Sequence, residues 1–267
     1  MIELSSLQAI LREEFPISPL FSTLMRCRTN EHDHTVVCEC CGAVHVFEFH
    51  CNKRFCPCCA FQISMERKKV LENCTHLLKR PKHVVLTARN DSDLKRMMHV
   101  VLSGVRRIRR RNIFEKVAGG WCSFEVTNEK KGWHVHAHLL IDAPFIDSGE
   151  LAREWGACVG QDFAIVKLKC ACGRCPRCKE AGRANYLAEV TKYTVKPSVF
   201  IKWNQAQREE FVRCIKAKRL FFAFGHVAEA ARNVRTAIKV SRSSARTKCC
   251  ANESLTHISY FTGKGLR

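Results

Sequence analysis

Residues 134–138 read His-Val-His-Ala-His, inside the longer run Gly132-Trp133-His134-Val135-His136-Ala137-His138-Leu139-Leu140-Ile141. No other stretch restricts the fold so tightly. The alternation fits an extended strand, in which side chains 134, 136 and 138 leave the backbone on one face. Three imidazoles on one face, running into an apolar segment, form a donor set suited to a divalent metal.

The segments on either side extend this pattern. Trp121 to Thr127 also alternates, and the polar stretch Asn128 to Gly132 joins the two runs as an antiparallel hairpin. Gly119-Gly120 reads as a turn, and His83-Val84-Val85-Leu86-Thr87 as a buried strand. Helical spacing is expected over 5–14 (Ser5 as cap, Pro16 as stop), 61–79, 93–114 and 183–196. Arg219 to Gly225 is too apolar to lie exposed, and from about Val240 a basic, Ser-rich, loosely ordered tail is expected. Mixed strands and helices point to an α+β fold: a central antiparallel sheet with flanking helices, plus small zinc-binding modules. Three regions are expected: a cysteine-rich zinc-binding region at 1–79, a main domain at 80–240 with a cysteine-rich insertion at 170–178, and a basic tail at 241–267.

An apolar content of 46% is ample for a core, and a formal net charge of +20 calls for a polyanionic partner. Nucleic acid fits better than a membrane, since no apolar span or amphipathic anchor is visible. The start, Met1-Ile2-Glu3-Leu4-Ser5, has no basic segment leading into an apolar one, so a cytoplasmic location is expected. Thiols stay reduced there, and the 18 cysteines therefore read as zinc ligands rather than disulfides. Cys38-x-x-Cys41 and Cys56-x-x-Cys59 form one pair of knuckles, with Cys40 and Cys51 close by. Lys53 and Arg54 would be presented from this module to DNA phosphates. Cys170, Cys172, Cys175 and Cys178 offer a possible second zinc site.

Two further groups carry chemistry. In a helix over 183–196, Glu189 and Tyr193 share a face at i, i+4, Lys196 lies one turn on, and Tyr186 sits two turns before Tyr193. A phenol beside a metal-bound phosphate is a potential covalent nucleophile, with Lys196 countering charge. Arg106, Arg107, Arg109, Arg110 and Arg111 crowd six positions and are expected to contact phosphates.

The order of these motifs resembles that of the HUH endonuclease superfamily, specifically the rolling-circle replication initiators of small plasmids. The matching segments are Val84-Val85-Leu86-Thr87, Glu125-Val126-Thr127, Trp133 to Leu140, and Glu189-Val190-Thr191-Lys192-Tyr193-Thr194-Val195-Lys196. They span about residues 80–225. Val135 stands where the family often has proline. The run Cys51 to Cys59 is also similar to the N-terminal cysteine motif of such proteins and of single-strand transposases.

The resemblance implies that His136 and His138 bind a catalytic Mg²⁺ or Mn²⁺, with Glu125 as third ligand and His134 as its competitor. It implies that Tyr193 attacks the scissile phosphate, leaving a 5′-phosphotyrosine and a free 3′-OH, while Glu189 activates water in a terminating cleavage. Tyr186 is the rival nucleophile. Single-stranded origin DNA, a host helicase and a host polymerase would be partners. A single-strand transposase of the same chemistry, or a non-catalytic zinc-bearing DNA-binding regulator, are the alternatives.

Overall fold

The structure is a computed structural model, and it describes residues 4–13, 18–29, 33–38, 41–129, 131–162, 164–172, 175–176, 183–247 and 258–261. Its centre is a five-stranded antiparallel sheet built from β3 (Pro81–Thr87), β4 (Gly119–Glu129), β5 (Gly132–Asp142), β6 (Ile165–Cys170) and β7 (Phe221–Gly225). The spatial order is β6-β3-β5-β4-β7, which makes the histidine strand β5 the middle one. A smaller sheet of order β2-β1-β8 joins β1 (His34–Cys38), β2 (Val44–Phe47) and β8 (Ile258–Phe261).

Alternation along β5 decides which helices lie on which side. Trp133, Val135, Ala137, Leu139 and Ile141 are fully buried in one cluster with α4 (Leu94–Ile108) and α5 (Ser148–Val159). The other side of the sheet carries the histidines. At its far end Trp121, Leu140 and Phe221 pack under α3 (Pro57–Cys74), α6 (Arg183–Thr191) and α9 (Val227–Thr247). Helices therefore cover both faces, completely on one and partly on the other. The remaining helices are α1 (Leu4–Glu13), α2 (Ser22–Met25), α7 (Pro197–Phe200) and α8 (Gln205–Ile215). Together these elements make the α+β architecture of a central antiparallel sheet with flanking helices.

Several elements depart from the sequence reading. Gly119 and Gly120 begin β4 rather than form a turn. A Cβ at Gly120 would meet the Leu140 carbonyl oxygen and lie 2.8 Å from the Ile141 Cα, so the glycines permit close strand approach. Gly120→Ala is expected to cost about 3 kcal/mol, read as a lower thermal unfolding midpoint; an unchanged midpoint would contradict the tight contact. Helix α4 ends at Ile108, leaving Arg109–Arg111 beyond it. The expected tail is helical as far as Thr247.

The largest departure is at 183–196. Helix α6 stops at Thr191, so Tyr193 does not share a helical face with Glu189. Pro197 starts α7 and leaves Lys196 extended (ψ 130°), as a residue before proline must be. Outside donors also take the carbonyls that a continuing helix would use. Ser64 Oγ bonds the Thr191 carbonyl (2.9 Å), Arg67 that of Lys192 (3.3 Å), and the Val126 amide that of Thr194 (2.7 Å). Tertiary hydrogen bonds outcompete the helical ladder here.

Candidate active site and metal centres

Cross-strand register extends the histidine face onto its neighbours. His136 stands opposite Glu125 and Thr87, His138 opposite Ser123 and Val85, and Val85 in turn opposite Lys167. His83 pairs with Lys169 one step further along the same face. A pocket forms there, lined by His83, Glu125, His136, His138, Lys167, Lys169, Tyr186 and Glu189. His134 lies outside it, at the strand end, with its Nδ1 against the Asn90 side-chain oxygen.

Within the pocket, His138 Nε2 lies 3.2 Å from Glu125 Oε2, and Thr87 Oγ1 3.3 Å from His136 Nδ1. His138 Nδ1 and His83 Nε2 are buried with no hydrogen-bond partner among the described residues. The His83 ring stacks on His138 (5.7 Å) and tilts against Tyr186 (5.4 Å). Burial, with the charges of His134 and His138, pushes His136 down to about 4, so its imidazole is neutral at neutral pH. Burial likewise brings His83 down to about 3. For Glu125 burial acts upward, but the His138 hydrogen bond and the charges of His138, Lys196 and Lys192 outweigh it and hold the carboxyl low. A neutral His136 imidazole and an ionised Glu125 carboxylate are donor states that a divalent ion requires. The donor types fit such an ion, although their atoms do not all converge within 4.8 Å as those of the cysteine groups do.

The two tyrosines separate. Tyr186, on α6, is buried in the histidine pocket. Tyr193, beyond the helix, lines a second hollow with Arg28, Phe61, Gln62, Lys192 and Lys196. Burial raises the Tyr193 phenol above its ordinary value. Glu189 connects the two places, lining the first pocket while pairing with Lys192 of the second.

Four buried thiols converge elsewhere: Cys27, Cys51, Cys56 and Cys59. Their Sγ separations are 3.8 Å (Cys27–Cys56), 3.6 Å (Cys27–Cys59) and 3.7 Å (Cys51–Cys59). A tetrahedron with Zn–S bonds of about 2.3 Å has edges of about 3.8 Å, so this cluster could hold zinc without rearrangement. Hydrogen bonds from the other three thiols hold Cys59 far below the usual thiol range, favouring the thiolate that a metal needs. Of the expected ligands, Cys56 and Cys59 belong to this set. Cys41 is exposed and outside the cluster, and the side chain of Cys38 lies outside the described residues, as does Cys40. Cys27 and Cys51 join Cys56 and Cys59 because the loop 48–56 folds back onto the turn after α2, where the Cys51 amide donates to Cys27 Sγ (3.4 Å). Cys170, Cys172 and Cys175 form a second, more open group, while Cys178 lies outside the described residues.

Sequence reasoning missed His83, Lys167 and Lys169 as pocket residues. The Lys-Leu-Lys alternation at 167–169 was the available signal. The arginine run lies on the opposite layer, and most of it has work within the protein. Arg107 Nε donates to the Cys158 carbonyl (2.7 Å), the Arg109 guanidinium sits 4.1 Å over Phe224, and Arg111 pairs with Glu154 (3.6 Å). Arg106 and Arg110 are exposed. Among the described residues no helix is long and apolar enough to cross a membrane.

A family model described as "Replication protein" matches residues 45–237, which is most of the chain. No curated protein and no solved structure matches.

Proposed function

From the premise that this chain belongs to the replication protein family, we propose that it initiates rolling-circle replication of a plasmid by nicking and rejoining single-stranded origin DNA. The carrying observation is the pocket that combines His136, His138 and Glu125 with Lys167, Lys169 and Glu189. It offers donors for a divalent cation, cations for phosphate oxygens and a carboxylate for proton transfer.

A Mg²⁺ or Mn²⁺ ion held by His136, His138 and Glu125 would supply Lewis-acid polarisation of the phosphoryl oxygen. Lys167 and Lys169 orient the strand by its phosphates, with Arg106 and Arg110 contacting DNA further away. Tyr193 attacks the scissile phosphorus; the P–O3′ bond breaks, the phenol loses its proton, and the 3′ oxygen leaves as a hydroxyl. That 3′-OH primes a host polymerase, with a host helicase opening the duplex ahead. Lys192 and Lys196 offset charge around the tyrosine, and exposed Phe61 gives an unpaired base a stacking surface. In the terminating cleavage Glu189 takes a proton from water. A second reading gives the attack to Tyr186, favoured by its place in the histidine pocket.

The test is cleavage of labelled single strands from the replicon's origin with Mn²⁺ and, separately, with Mg²⁺. Cleavage is expected to leave the 5′ end attached to protein after denaturation, and a chelator should abolish it. Binding without cleavage in either metal would leave a non-catalytic regulator instead. Salt offers an independent check on the lysines. Each phosphate contact to single-stranded DNA adds about 0.7 to the log–log salt slope, so Lys167→Gln with Lys169→Gln should flatten it by about 1.4. An unchanged slope would place the strand elsewhere.

A further inference from the structure

A second cluster of cations lies across α3 from the tyrosine segment. Arg54 from the cysteine module, Arg67 from α3, Arg219 before β7, and Arg235 and Lys239 from α9 line one pocket, with Glu66 its only carboxylate among the described residues. Among the described residues none of its four arginines forms an ion pair. Arg54 and Arg67 instead donate to main-chain carbonyls, of Lys218 (2.9 Å) and Lys192 (3.3 Å), and Arg67 lies 4.9 Å over the Phe221 ring. Burial, then repulsion from Arg54 and Arg235, outweighs the attraction of Glu66 and brings Arg67 down to about 10.

Five cations drawn from four separate segments beside one described carboxylate, Glu66, leave an excess of positive charge that repels itself unless a further anion joins it. Guanidinium forks match phosphate oxygens two at a time, a geometry that lysine cannot supply. We infer that this pocket binds phosphate groups, those of a DNA strand held at a distance from the histidine pocket or those of a free polyphosphate. The inference does not depend on nicking. Because Arg67 also holds the Lys192 carbonyl, an anion here would sit one side chain away from the Tyr193 segment.

The experiment compares the wild-type full chain with Arg219→Gln/Arg235→Gln, both exposed positions. A control, Lys116→Gln/Arg153→Gln, removes equal charge from exposed sites outside the pocket. Each protein is titrated with a single-stranded oligonucleotide across a salt series, and separately with inorganic pyrophosphate. If DNA is the source, the pocket variant alone binds the oligonucleotide several-fold more weakly, with a salt slope flatter by about 1.4. If a free polyphosphate is the source, wild type and control bind pyrophosphate and the pocket variant does not. Equal behaviour of all three proteins, or equal loss in variant and control, would overturn the inference. Cleavage of a short oligonucleotide confined to the nick site, measured alongside, reports on the proposed function separately.

Discussion

Tyr193→Phe is expected to abolish the covalent protein–DNA adduct and to reduce nicking by on the order of 10⁴-fold or more, the scale of losing a covalent nucleophile. Strand binding should change little, since a phenyl ring keeps the bulk and stacking surface of the phenol. Tyr186→Phe gives the contrast. Its ring packs on His83 in the histidine pocket, so loss of the hydroxyl alone should spare both fold and adduct. The reverse pattern, with the adduct lost only in Tyr186→Phe, would assign attack to the tyrosine already in that pocket. For Tyr193 to act as proposed, the segment 192–196 must bring its phenol to a phosphate bound beside His136 and His138. The hydrogen bonds that end α6, from Ser64, Arg67 and Val126, determine where that segment sits.

The second large effect concerns the buried thiols. Structural zinc sites contribute about 10–16 kcal/mol of apparent binding energy, comparable to or above the about 5–15 kcal/mol that holds a whole domain folded. Cys27→Ser and Cys56→Ser are each expected to release one zinc per chain and unfold the N-terminal module, seen by metal analysis and by loss of cooperative melting. Cys41→Ser should keep that zinc, because its side chain is exposed and outside the cluster. Zinc retained in Cys27→Ser but lost in Cys41→Ser would restore the ligand set expected from spacing alone.

The strands at the heart of the sheet were legible in the sequence because their periodicity is local. The hairpin of β4 and β5, the strand β3 and the side taken by each histidine all follow from residues two apart. Partners brought from elsewhere were not legible. Cys27 stands well before its fellow cysteines and in no Cys-x-x-Cys pair, so spacing gave no reason to choose it over Cys38. Residues 183–196 satisfy helical periodicity, but Pro197 and the carbonyl acceptors claimed by α3 and β4 end helix α6 at Thr191. The internal partners of the arginine run, Cys158, Glu154 and Phe224, were not legible because they lie far along the chain.

The pairing of Glu125 with His136 across β4 and β5 has a consequence for how this hairpin tolerates insertions and deletions. Adding one residue within β5 ahead of His134 would turn Trp133, Val135 or the histidines through the sheet, depending on which segment slips, and bury imidazoles beneath α4. Adding two would restore the sidedness and shift only the alignment. Viable length variants of this hairpin should therefore differ in parity from random ones: even changes survive where odd ones do not.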